Sequence, residues 1–394
     1  MLLKYRRGYI LFSGLLAIFL LNGCVSTTTT AKLQPQVPVG ITAYQRAMNA
    51  IEENNFQQAV GYFQQALHNE QLADVDLYYY AHALNQTGAY AAAVKIYTQY
   101  IGTFGRRAEH LLAALAERTA AEKELRLQRE ARARAELAEQ RFQQIAPTLE
   151  QNWLLVQQQL SDRPATFNEP FTGMEMILVR GGCFPMGDLF GDGRKDEQPV
   201  HEVCVDDFYL GKYEVTQAQW QKLMGYNSSR SNQGADFPVE TVSWSEAVEF
   251  TDNLGGAAGR FRLPTEAEWE FAARSRGRKE KFSGSNSGDR VAWHEKNSAL
   301  NSHPVGRKKP NSLGFYDMSG NVYEWCLDRY AEDTYQHSPK LNPTGAKSGT
   351  DRSRRGGSWD SAKSFSRTSS RSSGNEKNYR LDDTGFRLLL PLSN

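Results

Sequence analysis

The sequence carries no excess of either charge: 46 lysines and arginines stand against 45 aspartates and glutamates in 394 residues. Bulk electrostatics therefore give no reason to expect a nucleic-acid partner. Cysteine is scarce, with four in the whole chain. The apolar run Ile10–Leu21 is too short to span a bilayer comfortably. Beyond Arg276 almost nothing is periodic enough to assign, apart from short strands near Arg355–Trp359 and Phe386–Leu390. What is present is length enough for two or three domains and a sizeable core. Aromatic residues make up 11%, many of them Trp and Tyr beside Gly in the second half. That mix suits a loop-rich fold pinned by aromatic anchors better than a helical bundle.

Residues 1–23 read as a targeting segment, with Lys4, Arg6 and Arg7 as a basic start before the apolar run. Leu21-Asn22-Gly23-Cys24 resembles a bacterial lipobox, which implies cleavage before Cys24 and lipidation of its thiol. An ordinary signal peptide or an anchor helix is the alternative. Val25 after the cysteine suggests outer-membrane sorting. The expected location is the bacterial cell envelope, lipid-anchored at the outer membrane and facing the periplasm. Residues 24–40, rich in Thr, Gln and Pro, read as a flexible tether.

Setting Cys24 aside leaves Cys183, Cys204 and Cys326 in an oxidising compartment. Cys183 and Cys204 flank a turn-rich loop between strand-like runs at Met176–Val179 and Val203–Val205, so a disulfide is expected, with two buried thiols as the alternative. Cys326, beside Trp325, reads as a small buried residue, a lone reactive thiol being the other option.

Residues 41–105 contain an internal repeat. Phe56, Ala59, Val60 and Phe63 recur 34 residues later as Tyr90, Ala93, Val94 and Tyr97, with Asn54-Asn55 and Gly88-Ala89 at the turns. This helix-turn-helix period resembles the tetratricopeptide repeat and offers a groove for a protein partner. Two copies are few, so the next helix is expected to cap them. Residues 106–162 are a long charged helix and linker, in which Arg106–Ile145 lacks Gly and Pro and Pro147 is expected to interrupt the helix. Arg163–Pro170 reads as the linker to a second domain at 174–391.

In that domain three short helices are announced by capping boxes, Thr216 with Gln219, Ser243 with Glu246 and Thr265 with Glu268. Gly225 and Gly255-Gly256 are expected to close the first two. Ordered motifs follow one another: G-C-F-P-M-G at 182–187, E-V-T-Q-A-Q-W at 214–220, R-L-P-T-E-A-E-W-E-F-A-A-R at 262–274, D-M-S-G-N-V-Y-E-W at 317–325, R-G-G-S-W at 355–359 and G-F-R at 385–387. Together they resemble the formylglycine-generating enzyme (sulfatase-modifying factor) family. The resemblance implies an α+β domain related to C-type lectins, with a small central sheet and long ordered loops, after an all-α tetratricopeptide-like region.

The resemblance also implies a calcium site made by Asp317, Gly320, Val322 and Glu324, two side chains and two carbonyls. The alternative is that Asp317 and Glu324 only cap turns. A second family calcium site is not legible around Asn297–His303, and Asp188, Asp192 and Asp196 read as a solvated acidic turn. Oxidase members of the family hold Cu(I) between two cysteine thiolates; here those positions are Ser361 and Ser366, while Ser358 matches the family's active-site serine. Hydroxyls are too hard and too weakly acidic to replace thiolates, so copper is not expected. His201, His294, His303 and His337 read as surface or loop histidines, without the spacing that would make a serine nucleophilic. The basic, serine-rich stretch Arg352–Arg371 reads either as an anion or peptide site or as a solvated loop with arginines stacked on aromatics. Two functions follow: a binding or scaffolding module, or an enzyme with altered oxidative or maturation chemistry on a periplasmic protein or small molecule.

Overall fold

A computed structural model describes residues 42–392 except 70–71, 74–75, 105–110, 231–232, 256–260 and 378. Cys24, the targeting segment, the tether, Gly256 and the first residues of the long helix lie outside the described residues. The chain divides into two compact units, with the boundary between Leu125 and Arg126.

In the first unit, α1 (Ala43–Glu52) and α2 (Phe56–His68) form one helical hairpin, and α3 (Leu77–Gln86) and α4 (Tyr90–Phe104) form another. The turns are equivalent bond for bond. Asn55 donates its amide N–H to the Ala50 carbonyl at 2.7 Å, and Ala89 does the same to Leu84 at 2.9 Å. Asn54 (φ 57°) and Gly88 (φ 77°) supply the left-handed residue in each. Ala59 and Ala93 are fully buried where the helices cross, and Phe63 and Tyr97 fill the adjoining space. The start of α5 (Leu111–Leu160) covers the second hairpin. Ala114 joins this core, and the Glu117 carboxylate accepts from Tyr78 (2.9 Å) and Tyr97 and pairs with Nδ1 of His82 (2.8 Å). The capping helix expected from the repeat count is therefore present.

Pro147 does not interrupt α5, which runs through it. An internal proline costs about 3 kcal/mol, but Pro147 and Gln143, whose carbonyl loses its bond, both face solvent. On the opposite face Ala138, Ile145, Leu149 and Val156 are buried in the core of the second unit, each larger side chain contributing about 1.5–3 kcal/mol.

The second unit is built on two sheets and a hairpin. β1 (Thr166–Asn168), β2 (Glu175–Val179), β5 (Phe208–Gly211) and β10 (Leu389–Pro391) form an antiparallel sheet in the order β1-β2-β5-β10. β1 lies in the stretch read as linker; its Phe167 is buried against Tyr209, so the chain joins the sheet earlier than composition suggested. β3 (Gly182–Met186) and β4 (His201–Val205) pair with Cys183 opposite Cys204, and those cysteines are bridged. α6 (Gln217–Met224), α7 (Trp244–Gly255) and α8 (Glu266–Ala273) follow. The capping boxes of α6 and α8 are formed, Ser243 and Glu246 bond reciprocally at the start of α7, and Gly225 closes α6 in the left-handed region. The other sheet, which the strand expected near Arg355–Trp359 meets only at Arg355, orders β8 (Arg371–Asn375), β7 (Asp351–Arg355), β6 (Tyr323–Arg329) and β9 (Thr384–Gly385), with β6 and β9 parallel. Among the described residues no helix is long and apolar enough to cross a membrane.

Candidate functional site

The charged residues of the quoted motifs converge inside this second unit. Glu266 and Glu270 stand one turn apart on α8, and the Arg355 guanidinium of β7 spans them, donating to Glu266 at 2.9 Å and Glu270 at 2.6 Å. Arg371 of β8 donates twice to Glu266, and Arg274 donates to Glu270 at 2.8 Å. Burial would push the Glu266 carboxyl up, but Arg371 and Arg355 outweigh it and hold it at about 2. Arg367 grips Glu197 with both amino groups. Arg352, Arg354, Arg355, Arg367 and Arg371 are all buried, so the stretch is neither a solvated loop nor an open anion site. Some stacking does occur, with Arg352 lying 3.6 Å over Trp244.

A neighbouring loop, Asp317–Glu324, leads into β6. Asp317, Gly320 and Asn321 all have positive φ. At Gly320 (φ 79°) a Cβ would stand 2.0 Å from the Trp293 carbonyl oxygen, so only glycine fits. Asp317 is buried; its Oδ2 accepts from Gly306 at 2.7 Å, while Oδ1 has no hydrogen-bond partner among the described residues. Burial pushes the Asp317 carboxyl up to about 6. Glu324 accepts from Arg387 at both oxygens (2.6 Å each) and from the Trp269 indole at 2.7 Å. The third carboxylate, Glu214, is buried and raised well above its ordinary value by desolvation and then by Asp317 and Glu324. Sequence reasoning quoted Glu214 and Arg387 within motifs but gave them no role. The available signal was a charged side chain set among apolar neighbours.

Of the calcium positions, Asp317 and Glu324 are thus buried within electrostatic reach of each other, with one open oxygen on Asp317 and with Glu324 already engaged. Among the described residues no group of three or more acidic, histidine or cysteine side chains is arranged to hold a metal ion. The expected ligand set uses only two side chains, and with Glu214 beside them the carboxylates outnumber the cations that act on them, Arg387 and, on Asp317, Lys308, which suits a dication.

Ser358, Ser361 and Ser366 follow β7. Ser358 and Ser361 share a hydroxyl–hydroxyl bond of 2.7 Å, and the Ser358 amide donates to the Ser361 hydroxyl at 2.9 Å. Burial raises the pKa of the Tyr323 hydroxyl, against a smaller lowering by the nearby Ser361. Ser366 is fully buried and its hydroxyl has no partner among the described residues. It packs under Gly357 (φ 72°), where a Cβ would come within 2.8 Å of that oxygen. No histidine bonds to these serines among the described residues. His294 pairs with Asp289, His303 stacks on Trp293 at 3.7 Å, and Nδ1 of His201 pairs with the Pro199 carbonyl. His294 is buried rather than a surface residue. A nucleophilic serine needs a base within reach; the hydroxyls of Ser358 and Ser361 bond to each other and that of Ser366 to nothing among the described residues.

The remaining acidic run is solvated only at Asp192. Asp188 is buried and accepts from the amides of Phe190, Gly191 and Gly193, and Asp196 is buried on Arg194 and Tyr330. Asp192 pairs with Lys281. Cys326 is buried and free, with its thiol pushed well up by burial.

Residues 162–391 match the family model described as the sulfatase-modifying factor enzyme 1-like domain. The chain is 36% identical over 208 residues to the chaperone protein LppX of Paenibacillus barcinonensis, covering 39% of this chain and 71% of that one. It is 27% identical over 272 residues to the formylglycine-generating enzyme of Streptomyces coelicolor, covering 50% of this chain and 82% of the enzyme. Among solved structures, Treponema denticola variable protein 1 superimposes with a TM-score of 0.52 at 30% identity, over 57% of this chain and 98% of that one.

Proposed function

The chain belongs to the sulfatase-modifying factor enzyme 1-like family, and from that premise we propose that its C-terminal domain is a protein-binding or scaffolding module that has given up copper chemistry. One observation carries this reading. The two thiolate positions hold Ser361, bonded to Ser358, and Ser366, buried beneath Gly357. Neither hydroxyl ionises near neutral pH, and a soft Cu(I) ion finds no soft ligand there. The relative named a chaperone protein supports a role in binding rather than turnover.

The same reading keeps Cys24 as the lipid-anchored residue, the outer membrane facing the periplasm as the location, and the helical repeats as the surface for a protein partner. Calcium belongs to it as well. Asp317, the carbonyls of Gly320 and Val322, and Glu324 would hold the ion, and the open Asp317 oxygen and the surplus of buried negative charge fit a hard dication. When bound, calcium would supply the charge that the three carboxylates lack.

The test uses the purified full chain with Cu(I), oxygen and a peptide carrying the C-x-P-x-R motif, beside an active family oxidase as control. Mass spectrometry of the peptide should show formylglycine in the control and none with this protein. Formylglycine here would overturn the binding-module reading, and any other oxidised product would favour the altered enzyme.

A further inference from the structure

Four consecutive amides run through the Asp317–Glu324 loop, and three of them donate to main-chain carbonyls. Gly320 donates to Gly356 at 2.7 Å, Asn321 to Trp293 at 3.1 Å and Tyr323 to Asp383 at 2.7 Å. The fourth, Val322, donates instead to Oε1 of Glu214 at 3.1 Å, and the Asn321 side-chain amide donates to Oε2 at 2.6 Å. Glu214 itself is fixed on its C-terminal side, where Val215 donates to Phe386 and accepts from Val239.

The choice of residue is informative. Glu214 is 1% exposed and forms no ion pair among the described residues, although Asp317 and Glu324 are close enough to repel it. Arg387 offsets that repulsion only in part and makes no direct bond to Glu214 among the described residues; a buried carboxylate so weakly compensated is costly, and neutral acceptors serve the neighbouring amides. We propose that Glu214 is a positioning residue for the calcium loop, clamping Asn321 and Val322 so that Asp317 and the Val322 carbonyl face one ion. This inference rests on the calcium reading above.

Calcium alone is the probe, titrated by calorimetry into the chelator-stripped full chain. Glu214→Asp keeps the charge but falls one methylene short of the two donors. Glu214→Gln keeps the length but offers a single acceptor to two donors. Both are expected to weaken calcium at least tenfold while melting cooperatively in chelator. Wild-type affinity in Glu214→Asp would overturn the proposal, because charge alone would then suffice. Should either variant fail to melt cooperatively, Asn321→Ser, which removes the side-chain amide that Glu214 holds together with that side chain's two bonds to the His303 backbone, must show the same loss while His303→Ala does not, or the proposal falls. A wild-type chain that binds no calcium would overturn the calcium reading and this inference together. Tight binding in wild type with unchanged variants would overturn this inference only.

Discussion

The repeats and the C-terminal domain are held together by opposite means. In the repeats, small and aromatic residues recur at a fixed period, and contacts join helices adjacent in sequence. In the C-terminal domain the deepest side chains include Arg274, Arg355, Arg371 and Arg387, joined to carboxylates that are in most cases far off in the chain. The first region is stabilised by burial spread over many similar positions. The second depends on a few charges, each of which costs several kcal/mol to bury alone. Tolerance to substitution should therefore differ. The two can be followed separately, because all seven tryptophans lie at Trp153 or later: their fluorescence reports the C-terminal domain, and the repeats are read from the far-UV change left after the part that tracks tryptophan, since α5 beyond Leu125 and α6, α7 and α8 belong to the second unit.

The largest effect is expected at Arg355. Arg355→Leu removes one of the two guanidiniums on each of Glu266 and Glu270, which keep Arg371 and Arg274 respectively. Removing one partner of a buried ion pair typically costs about 3–5 kcal/mol. Tryptophan-detected urea unfolding should move to much lower denaturant, while the helical signal of the repeats keeps its own midpoint. A shift below about 1 kcal/mol would show that the ion-pair lattice is not what holds this domain.

That contrast also explains what was legible in the sequence. The repeats announce themselves, since a 34-residue offset fixes helices, turns and buried alanines at once. The capping boxes at Thr216, Ser243 and Thr265 are equally local and were readable for the same reason. The sheet β8-β7-β6-β9 was not, because its strands carry charge rather than alternating apolar residues: β7 is Asp-Arg-Ser-Arg-Arg and is nonetheless buried from its second residue onward. Pairing with Glu266 and Glu376 is what allows arginines inside, and such partners lie too far along the chain for any window to detect. In the same way the Asp317 and Ser358 positions could be located from their motifs, whereas Glu214 became visible only when the fold carried it to the Val322 amide.

An intermediate effect is expected where the repeats pack tightest. Ala59 and Ala93 are equivalent and fully buried, so Ala59→Leu and Ala93→Leu should each overpack a helix crossing at a cost of about 1–3 kcal/mol. Far-UV melting should fall by similar amounts in the two variants, with the tryptophan transition unmoved. Unequal losses would mean that the repeats are alike in sequence but not in packing.

The smallest effect sharpens the comparison, because it concerns the charged contact inside the repeats. Glu117 sits among Tyr78, Tyr97 and His82, with about a quarter of each partner in the His82–Glu117 pair exposed (28% and 24%). The bond to Glu117 raises His82 above 6.5 against a smaller opposing effect of burial. For Glu117, burial pushes upward, but the bonds from His82, Tyr97 and Tyr78 together bring it below 4.5. A histidine raised on folding contributes stability that is complete below 6.5 and lost as pH rises through its folded value. A carboxyl lowered on folding contributes stability that is complete above 4.5 and lost as pH falls through its folded value. The repeats should therefore be most stable between about pH 4.5 and 6.5, losing about 1 kcal/mol on either side after allowance for solvent screening. His82→Gln should flatten the alkaline arm and shrink the acid arm to what the Tyr97 and Tyr78 bonds sustain, whereas Glu117→Gln should flatten both. A far-UV stability profile with no alkaline decline in the wild type would show that the contact is too solvated to matter, and that the repeats rest on their apolar period alone.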